Sequence, residues 1–199
     1  MNEEFWNERY KSNNTVYGYQ PNTFFKEQLL KLQPGKLLLP AEGEGRNALF
    51  AARIGWDVSA FDFSAEARNK AQEAAIANHL KIEYTTEDIK QIILPEKTYD
   101  AIGLIYVHID PAVRATFHKK CIHSLKTGGV LILEAFSKNQ RNNTSGGPKD
   151  ERMLHSTETL IKEFDGLQIS LCKEEDTFLD EGKFHAGIAD VVRFLATKQ

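Results

Sequence analysis

Apolar residues in this chain fall into short, nearly unbroken runs, separated by longer stretches in which they recur every three or four positions. The runs are Lys36 to Ala41, Trp56 to Asp62, Lys81 to Tyr84, Tyr99 to Tyr106 and Val130 to Phe136. They have strand length and are apolar almost throughout, where a half-exposed strand would alternate, so they predict strands covered on both faces. Between them the spacing predicts helices over Arg46 to Ile54, Ala65 to Asn78 and Pro111 to Leu125. Each is long enough to carry the chain back across a sheet, which makes successive strands parallel. Two later runs, Gln168 to Phe178 and Ile188 to Thr197, flank the turn-rich Leu179-Asp180-Glu181-Gly182-Lys183 and predict a hairpin, giving the sheet an antiparallel edge. Asn22 to Leu32 reads as an amphipathic helix with Phe24, Phe25, Leu29 and Leu32 on one side, ended by Pro34-Gly35, and an earlier helix is expected over Glu3 to Lys11. The fold class is α/β: a Rossmann-like, doubly wound open sheet between two helical layers.

Composition narrows this picture. With 199 residues, 41% of them hydrophobic, the chain is expected to form a single domain. A helical cap (1–34) would precede a core (35–136), followed by a loop, a helix and the hairpin (137–199). No apolar run reaches the roughly 18 to 20 residues of a membrane span, and the opening MNEEFWNERYKSNN is acidic and aromatic where a signal peptide is basic then apolar, so a cytoplasmic location is expected. Cys121 and Cys172 both fall inside predicted elements, which makes a disulfide framework unexpected, and no Cys and His pattern has metal-ligand spacing. The net charge is -3 with both signs interspersed, so there is no basic stripe for nucleic acid. The expected partner is a small molecule, with the chain a monomer or homodimer.

In such a sheet, ligands bind outside the carboxyl ends of the strands, where the strand order reverses. After the first run comes Pro40-Ala41-Glu42-Gly43-Glu44-Gly45-Arg46-Asn47-Ala48. Its glycines let the backbone turn sharply and approach a ligand, and the helix that follows presents free N–H groups. After the second run, Asp62 lies at a distance from Gly43 that suits a carboxylate accepting from the two hydroxyls of a ribose, with Ser64 left to cap the next helix. After the third, Asp88 can accept from an adenine amino group. The long polar stretch Asn139 to Asp150 follows the fifth run and lies at the same edge. The Gly43-x-Gly45-x-x-Ala48 spacing with a distal acid also satisfies a dinucleotide fingerprint, so an NAD-binding oxidoreductase is a competing reading. Against it stand the wide turn that begins at Pro40, the lack of a second mononucleotide-binding half, and the terminal hairpin where a sixth parallel strand would be.

These residues resemble the class I S-adenosylmethionine-dependent methyltransferases, and within them the branch of the tellurite-resistance and thiopurine methyltransferases. The resemblance is carried by Phe5-Trp6-Asn7-Glu8-Arg9-Tyr10, Tyr17-Gly18-Tyr19-Gln20-Pro21-Asn22, Glu42 to Ala48, Asp62, Asp88, Ile105-Tyr106-Val107-His108 and Leu125 to Phe136. It implies a seven-stranded mixed sheet whose last strand is antiparallel. It also implies S-adenosylmethionine held by Tyr19, Ala41, Glu42, Gly43, Gly45, Arg46, Asn47, Asp62, Phe63, Ser64, Asp88, Ile89 and Tyr106. One departure matters: the family's first strand ends in an acid followed by glycine, and here Leu39 and Ala41 hold those places. Glu42 is the residue able to supply the carboxylate from a shifted position.

Methyl transfer from a sulfonium is an in-line displacement, so alignment and desolvation dominate and a base is needed only by acceptors that carry a proton. His108, at the end of the fourth run, and His185, at the start of the last, are the candidate bases. His185 with Arg193 resembles a His and Arg pair of the tellurite-resistance members, which implies that together they hold an anionic acceptor. Phe5, Trp6, Tyr10, Tyr17 and Tyr19 are expected to form a cap over the crevice. The expected acceptors are a thiol or thiopurine, or an oxyanion like tellurite or selenite; a fold that binds the cofactor without turnover is the third reading.

Overall fold

The structure is a computed structural model that describes residues 3–11, 15–182 and 184–199; Lys183 of the expected hairpin turn, and residues 1, 2 and 12–14 of the expected cap, lie outside them. Two helices, α1 (Glu3–Tyr10) and α2 (Thr23–Leu29), precede β1 (Lys36–Pro40), α3 (Arg46–Arg53), β2 (Asp57–Asp62), α4 (Ala65–Ala77) and β3 (Glu83–Thr86). Then come β4 (Tyr99–Ile105), α5 (Pro111–Ser124), β5 (Leu125–Phe136), α6 (Thr157–Glu163), β6 (Leu167–Asp180) and β7 (Ala186–Lys198). The sheet has seven strands in the order β3-β2-β1-β4-β5-β7-β6. β1 to β5 are mutually parallel, and β7 runs antiparallel between β5 and β6. This is the mixed, doubly wound sheet expected from the sequence.

The central strands are apolar because alternate side chains feed two different cores, whereas the edge strands β3 and β6 are largely polar. On one face Leu37, Leu39, Val58, Ala60, Ala101 and Ile105 meet Phe24, Phe25 and Leu29 of α2, Ala48 and Ala51 of α3 and Ala71 of α4. On the other, Leu38, Phe61, Ile102, Leu104, Leu131 and Leu133 meet Phe117 and Cys121 of α5 and Leu160 of α6. The crossover from β3 to β4 contains no helix, and Ile89, Ile92 and Leu94 of that irregular segment cover the second face instead. β5 begins at Leu125, five residues ahead of the apolar run, because Leu125 already pairs with Tyr99 before the shift in register. Among the described residues no helix is long and apolar enough to cross a membrane.

This topology gathers one edge. The carboxyl ends of β1, β2, β3 and β4 face the same way, and the antiparallel β7 starts where its parallel neighbours end. Residues near 42, 62, 88, 106 and 185 are thus brought together from across the chain.

Candidate cofactor and acceptor site

The loop from β1 to α3 turns on left-handed residues: Ala41 (φ 50°), Gly43 (φ 63°) and Gly45 (φ 85°). Gly45 occupies the N-cap of α3 and has no side chain to satisfy the helix's first N–H groups. Glu42 does so instead. Its Oε1 accepts from the backbone N–H of Asn47 and of Ala48, both at 2.8 Å, and its Oε2 accepts from Asn47 Nδ2 at 3.1 Å. The carboxylate therefore points into the helix start and orders the loop from within. Burial pushes its pKa up to about 7, against the pull of those hydrogen bonds.

Asp62 ends β2 and ties that loop down from the other side. Its Oδ2 accepts from Gly43 N–H at 3.1 Å and its Oδ1 from Ser64 N–H at 2.9 Å. The Phe63 N–H also contributes, and since a carboxylate has about four acceptor positions, capacity remains for a ligand hydroxyl. Desolvation raises Asp62 to about 6, and no cation contributes to its shift. Ser64 caps α4 through Ala67 N–H (3.2 Å) and donates to Asn7 Oδ1 (2.6 Å), which docks α1 over this corner. Tyr10 is buried there: a Cβ placed on Gly43 would lie 2.8 Å from its hydroxyl. Tyr84 donates to Gly43 O at 2.6 Å. Glu87 N–H donates to Asp62 O (2.9 Å), so Asp88, which accepts from Lys90 N–H, starts the turn at the same rim, with the half-buried Ile89 against the core. Phe63, between Asp62 and the cap, is half-buried. Tyr19 makes none of these contacts and stands 79% exposed.

The region around Tyr106 and His185 is built differently. Tyr106 follows β4 with φ 55°, a strained conformation for a residue with a Cβ, and it donates from its backbone N–H to Glu134 O at 2.7 Å and from its hydroxyl to Glu134 Oε1 at 3.0 Å. Glu134 is 1% exposed and also accepts from Asn22 Nδ2 (2.6 Å) and Arg193 Nε (2.6 Å). Arg193 spends its other arm on Glu175 at 2.7 Å. Beside this group Glu181 accepts from Arg46 (2.9 Å) and Asn22 (3.1 Å) and faces His185 Nδ1 at 3.3 Å. His185 sits among the rings of Tyr106, Tyr17 and Phe136, with centroids at 4.5, 4.6 and 5.2 Å.

His185 and Arg193, paired in the sequence reading, are not in contact but are linked through Tyr106 and Glu134, and through Glu181, Asn22 and Glu134. His108 is fully engaged: Nδ1 lies 3.0 Å from Met153 O and Nε2 accepts from Phe136 N–H at 3.3 Å, while burial lowers its pKa to about 4. With both ring nitrogens on backbone, it fixes the end of β4 to the segment after β5. Among the described residues there is no group of three or more His, Cys, Asp or Glu able to hold a metal ion.

Residues 40–129, from the end of β1 into β5, match the family model of the methyltransferase domain. Solved structures superpose on nearly the whole chain. The fold is a Rossmann-like seven-stranded mixed sheet, consistent with that of the class I methyltransferases. A structure solved for the conversion of a disulfide bond into a thioacetal group during echinomycin biosynthesis superposes with a TM-score of 0.81 at 15% identity, covering 99% of this chain and 93% of that one. TehB from Haemophilus influenzae gives 0.75 at 18% identity, over 99% of this chain and 67% of that one. A SAM-dependent methyltransferase from Aquifex aeolicus gives 0.64 at 22% identity, over 86% and 89%. No curated protein matches the chain by sequence. S-adenosylmethionine is the cofactor that the methyltransferase-domain match and these folds support.

The sequence reading missed Asn22, Glu134 and Glu181, which hold Tyr106, Arg193 and His185 in place, and Tyr84, which holds the loop. Glu134 left one trace, a lone carboxylate inside the apolar run Val130 to Phe136. Such a residue is buried with partners or not at all.

Proposed function

We propose that this chain is an S-adenosylmethionine-dependent methyltransferase acting on a small-molecule acceptor. The observation that carries the reading is Asp62, buried at the switch point with acceptor capacity left, beside a loop that turns on the left-handed Ala41, Gly43 and Gly45. That corner fits a nucleoside with vicinal hydroxyls: Asp62 would hold the ribose, Asp88 the base, and the loop from Ala41 to Asn47 the amino-acid tail. When bound, the cofactor supplies an electrophilic methyl group; the residues of this chain bind, orient and exclude water around it. The antiparallel β7 supports this reading over an NAD-binding oxidoreductase.

For the acceptor, the fold shared with TehB supports the tellurite and thiopurine branch. Arg193, already held by two carboxylates, favours a thiol or thiopurine over an oxyanion within it. The net charge of -3 supports the exclusion of nucleic acid, and the reading includes a cytoplasmic monomer or homodimer. Calorimetry with S-adenosylmethionine, S-adenosylhomocysteine and NAD tests the core of the proposal. Binding of the first two and not of NAD is expected, followed by S-adenosylhomocysteine release on a panel of thiols, thiopurines, halides, tellurite and selenite. Binding of NAD alone would overturn it, and binding without turnover on any acceptor would favour an inactive fold.

A further inference from the structure

We infer that Glu181 positions His185 as the proton acceptor for a proton-bearing methyl acceptor, such as a phenol, a heteroaryl thiol or an N–H heterocycle. This rests on the methyltransferase reading and gives it a substrate class.

Three observations carry it. First, the two nitrogens of His185 are unequal: Nδ1 faces Glu181 at 3.3 Å, whereas Nε2 has no hydrogen-bond partner among the described residues. With the neutral ring donating Nδ1–H to Glu181, the lone pair sits on Nε2. Second, Glu181 is itself fixed, by Arg46 at 2.9 Å and Asn22 at 3.1 Å, and the hydrogen bond with His185 together with the charge of Arg46 holds it ionised, with a pKa of about 2 despite its burial. Third, the ring cannot turn freely. Tyr17, Tyr106 and Phe136 enclose it, and at Gly146 (φ 129°) even a Cβ would come within 2.9 Å of His185 Cδ2. Burial keeps the imidazole neutral, and so able to take a proton, although Glu181 pulls the other way. The charged and titratable groups facing it are Glu181 from the hairpin, Arg46 from α3, Arg9 from α1, Tyr17 from the cap, and Tyr106 and His108 from the end of β4.

An oxyanion needs no base and would want a free cation, but Arg46 and Arg193 are both bound to carboxylates, and Arg9 donates to the Tyr17 hydroxyl and lies over the rings of Phe5, Trp6 and Phe184. A protic acceptor needs what is present. Its heteroatom gives its proton to Nε2, the electron pair left behind forms the new bond to the methyl carbon, and the carbon–sulfur pair stays on sulfur. Glu181 stabilises the imidazolium until it returns the proton to water. Glu181 is thus a positioning residue and His185 the base.

Nitrogen-15 NMR of histidine-labelled, cofactor-free protein, with His185→Gln to assign the signal, reads the tautomer without any turnover. The expected result is an unprotonated Nε2 in the wild type, changing to a protonated Nε2 in Glu181→Leu; Glu181→Asp, which keeps the acceptor, should retain the wild-type tautomer. Protonated Nε2 in the wild type overturns the proposal even if Glu181→Leu fails to fold. A series of phenols and thiophenols of falling pKa then reads the role. His185→Gln should lose roughly 100-fold or more in kcat/KM on weakly acidic acceptors and under about 3-fold on those already ionised at the assay pH. A deficit independent of acceptor acidity, or turnover of tellurite with none of any protic acceptor, overturns the assignment. If the wild type fails to bind S-adenosylmethionine in calorimetry, the methyltransferase reading falls instead, and the tautomer still reports on the dyad.

Discussion

The nucleoside and acceptor ends of the proposed site both bury carboxylates, and they do so by opposite means. At the nucleoside end Glu42 and Asp62 are held by backbone N–H groups and an amide, with no ion pair to either, and burial raises both. At the acceptor end Glu134 and Glu181 are met by Arg193 and Arg46, and Glu181 stays far below the usual range. A buried charge needs either a partner or a way to become neutral. The acceptor end has partners built in and is electrostatically closed. The nucleoside end leaves acceptor capacity open, and a ligand bringing hydroxyls and a positive charge completes it.

The contrast is sharpest where removing one carboxylate strands the most partners. Glu134→Ala would leave Arg193 Nε, Asn22 Nδ2 and the Tyr106 hydroxyl without their shared acceptor in a site that is 1% exposed. Breaking a buried ion pair on one side costs about 3–5 kcal/mol, so thermal melting should show the largest loss of any single carboxylate substitution here. If Glu42→Ala lowered the melting temperature more, the acceptor end would not be the compensated one.

Next in size is ligand binding at the open end. Asp62→Ala should weaken S-adenosylmethionine binding by about 100-fold, since a hydrogen bond to a charged acceptor vanishes. Asp62→Asn, which retains one good acceptor, should lose about 10-fold. Calorimetry decides, with melting as a check that the loop tied by Gly43 and Ser64 N–H survives. Undiminished affinity in the alanine variant would remove Asp62 from the site.

What the sequence revealed divides along the same line. The central strands were legible because two-faced burial leaves unbroken apolar runs, and Asp62 because its place after β2 follows from the strand that positions it. Glu42 was legible as a shifted carboxylate but not as a helix cap, because its direction is set by the left-handed Ala41, which nothing in an Ala-Glu-Gly sequence announces. The acceptor end stayed hidden for a different reason. The Asn22 to Glu134 contact spans 112 residues, so neither residue carries a local signal of the other. His108 read as a base because its position at the end of β4 is correct; its two backbone partners, Met153 O and Phe136 N–H, appear only once the segment after β5 folds back. Tyr10 was foreseen in the cap, yet its contact with Gly43 depends on where α1 docks.

The smallest effect separates the two ends by pH. Glu42, raised from 4.5 to about 7, and Asp62, raised from 3.8 to about 6, favour the protonated form in the folded protein. Their contribution to stability is fully present below their unfolded values and is lost as pH rises through 6 and 7. Glu181, lowered to about 2, contributes above its unfolded value of 4.5 and loses that only in strong acid, so it is constant across the neutral range. His108, His155, His118 and His185 are all lowered by burial and oppose the carboxylates until their unfolded forms have lost their protons, about one pH unit above the unfolded value of 6.5. The histidines titrate alike in the wild type and in Glu42→Gln, so the difference between the two proteins isolates Glu42. The melting advantage of the wild type should shrink by roughly 2–4 °C from pH 6.5 to 8, about 1 kcal/mol for a domain of this size. Glu42→Gln should melt below the wild type at pH 5 and converge on it or pass it by pH 8. Parallel curves for the two proteins would mean that Glu42 stays ionised in the fold, and that the nucleoside end is compensated after all.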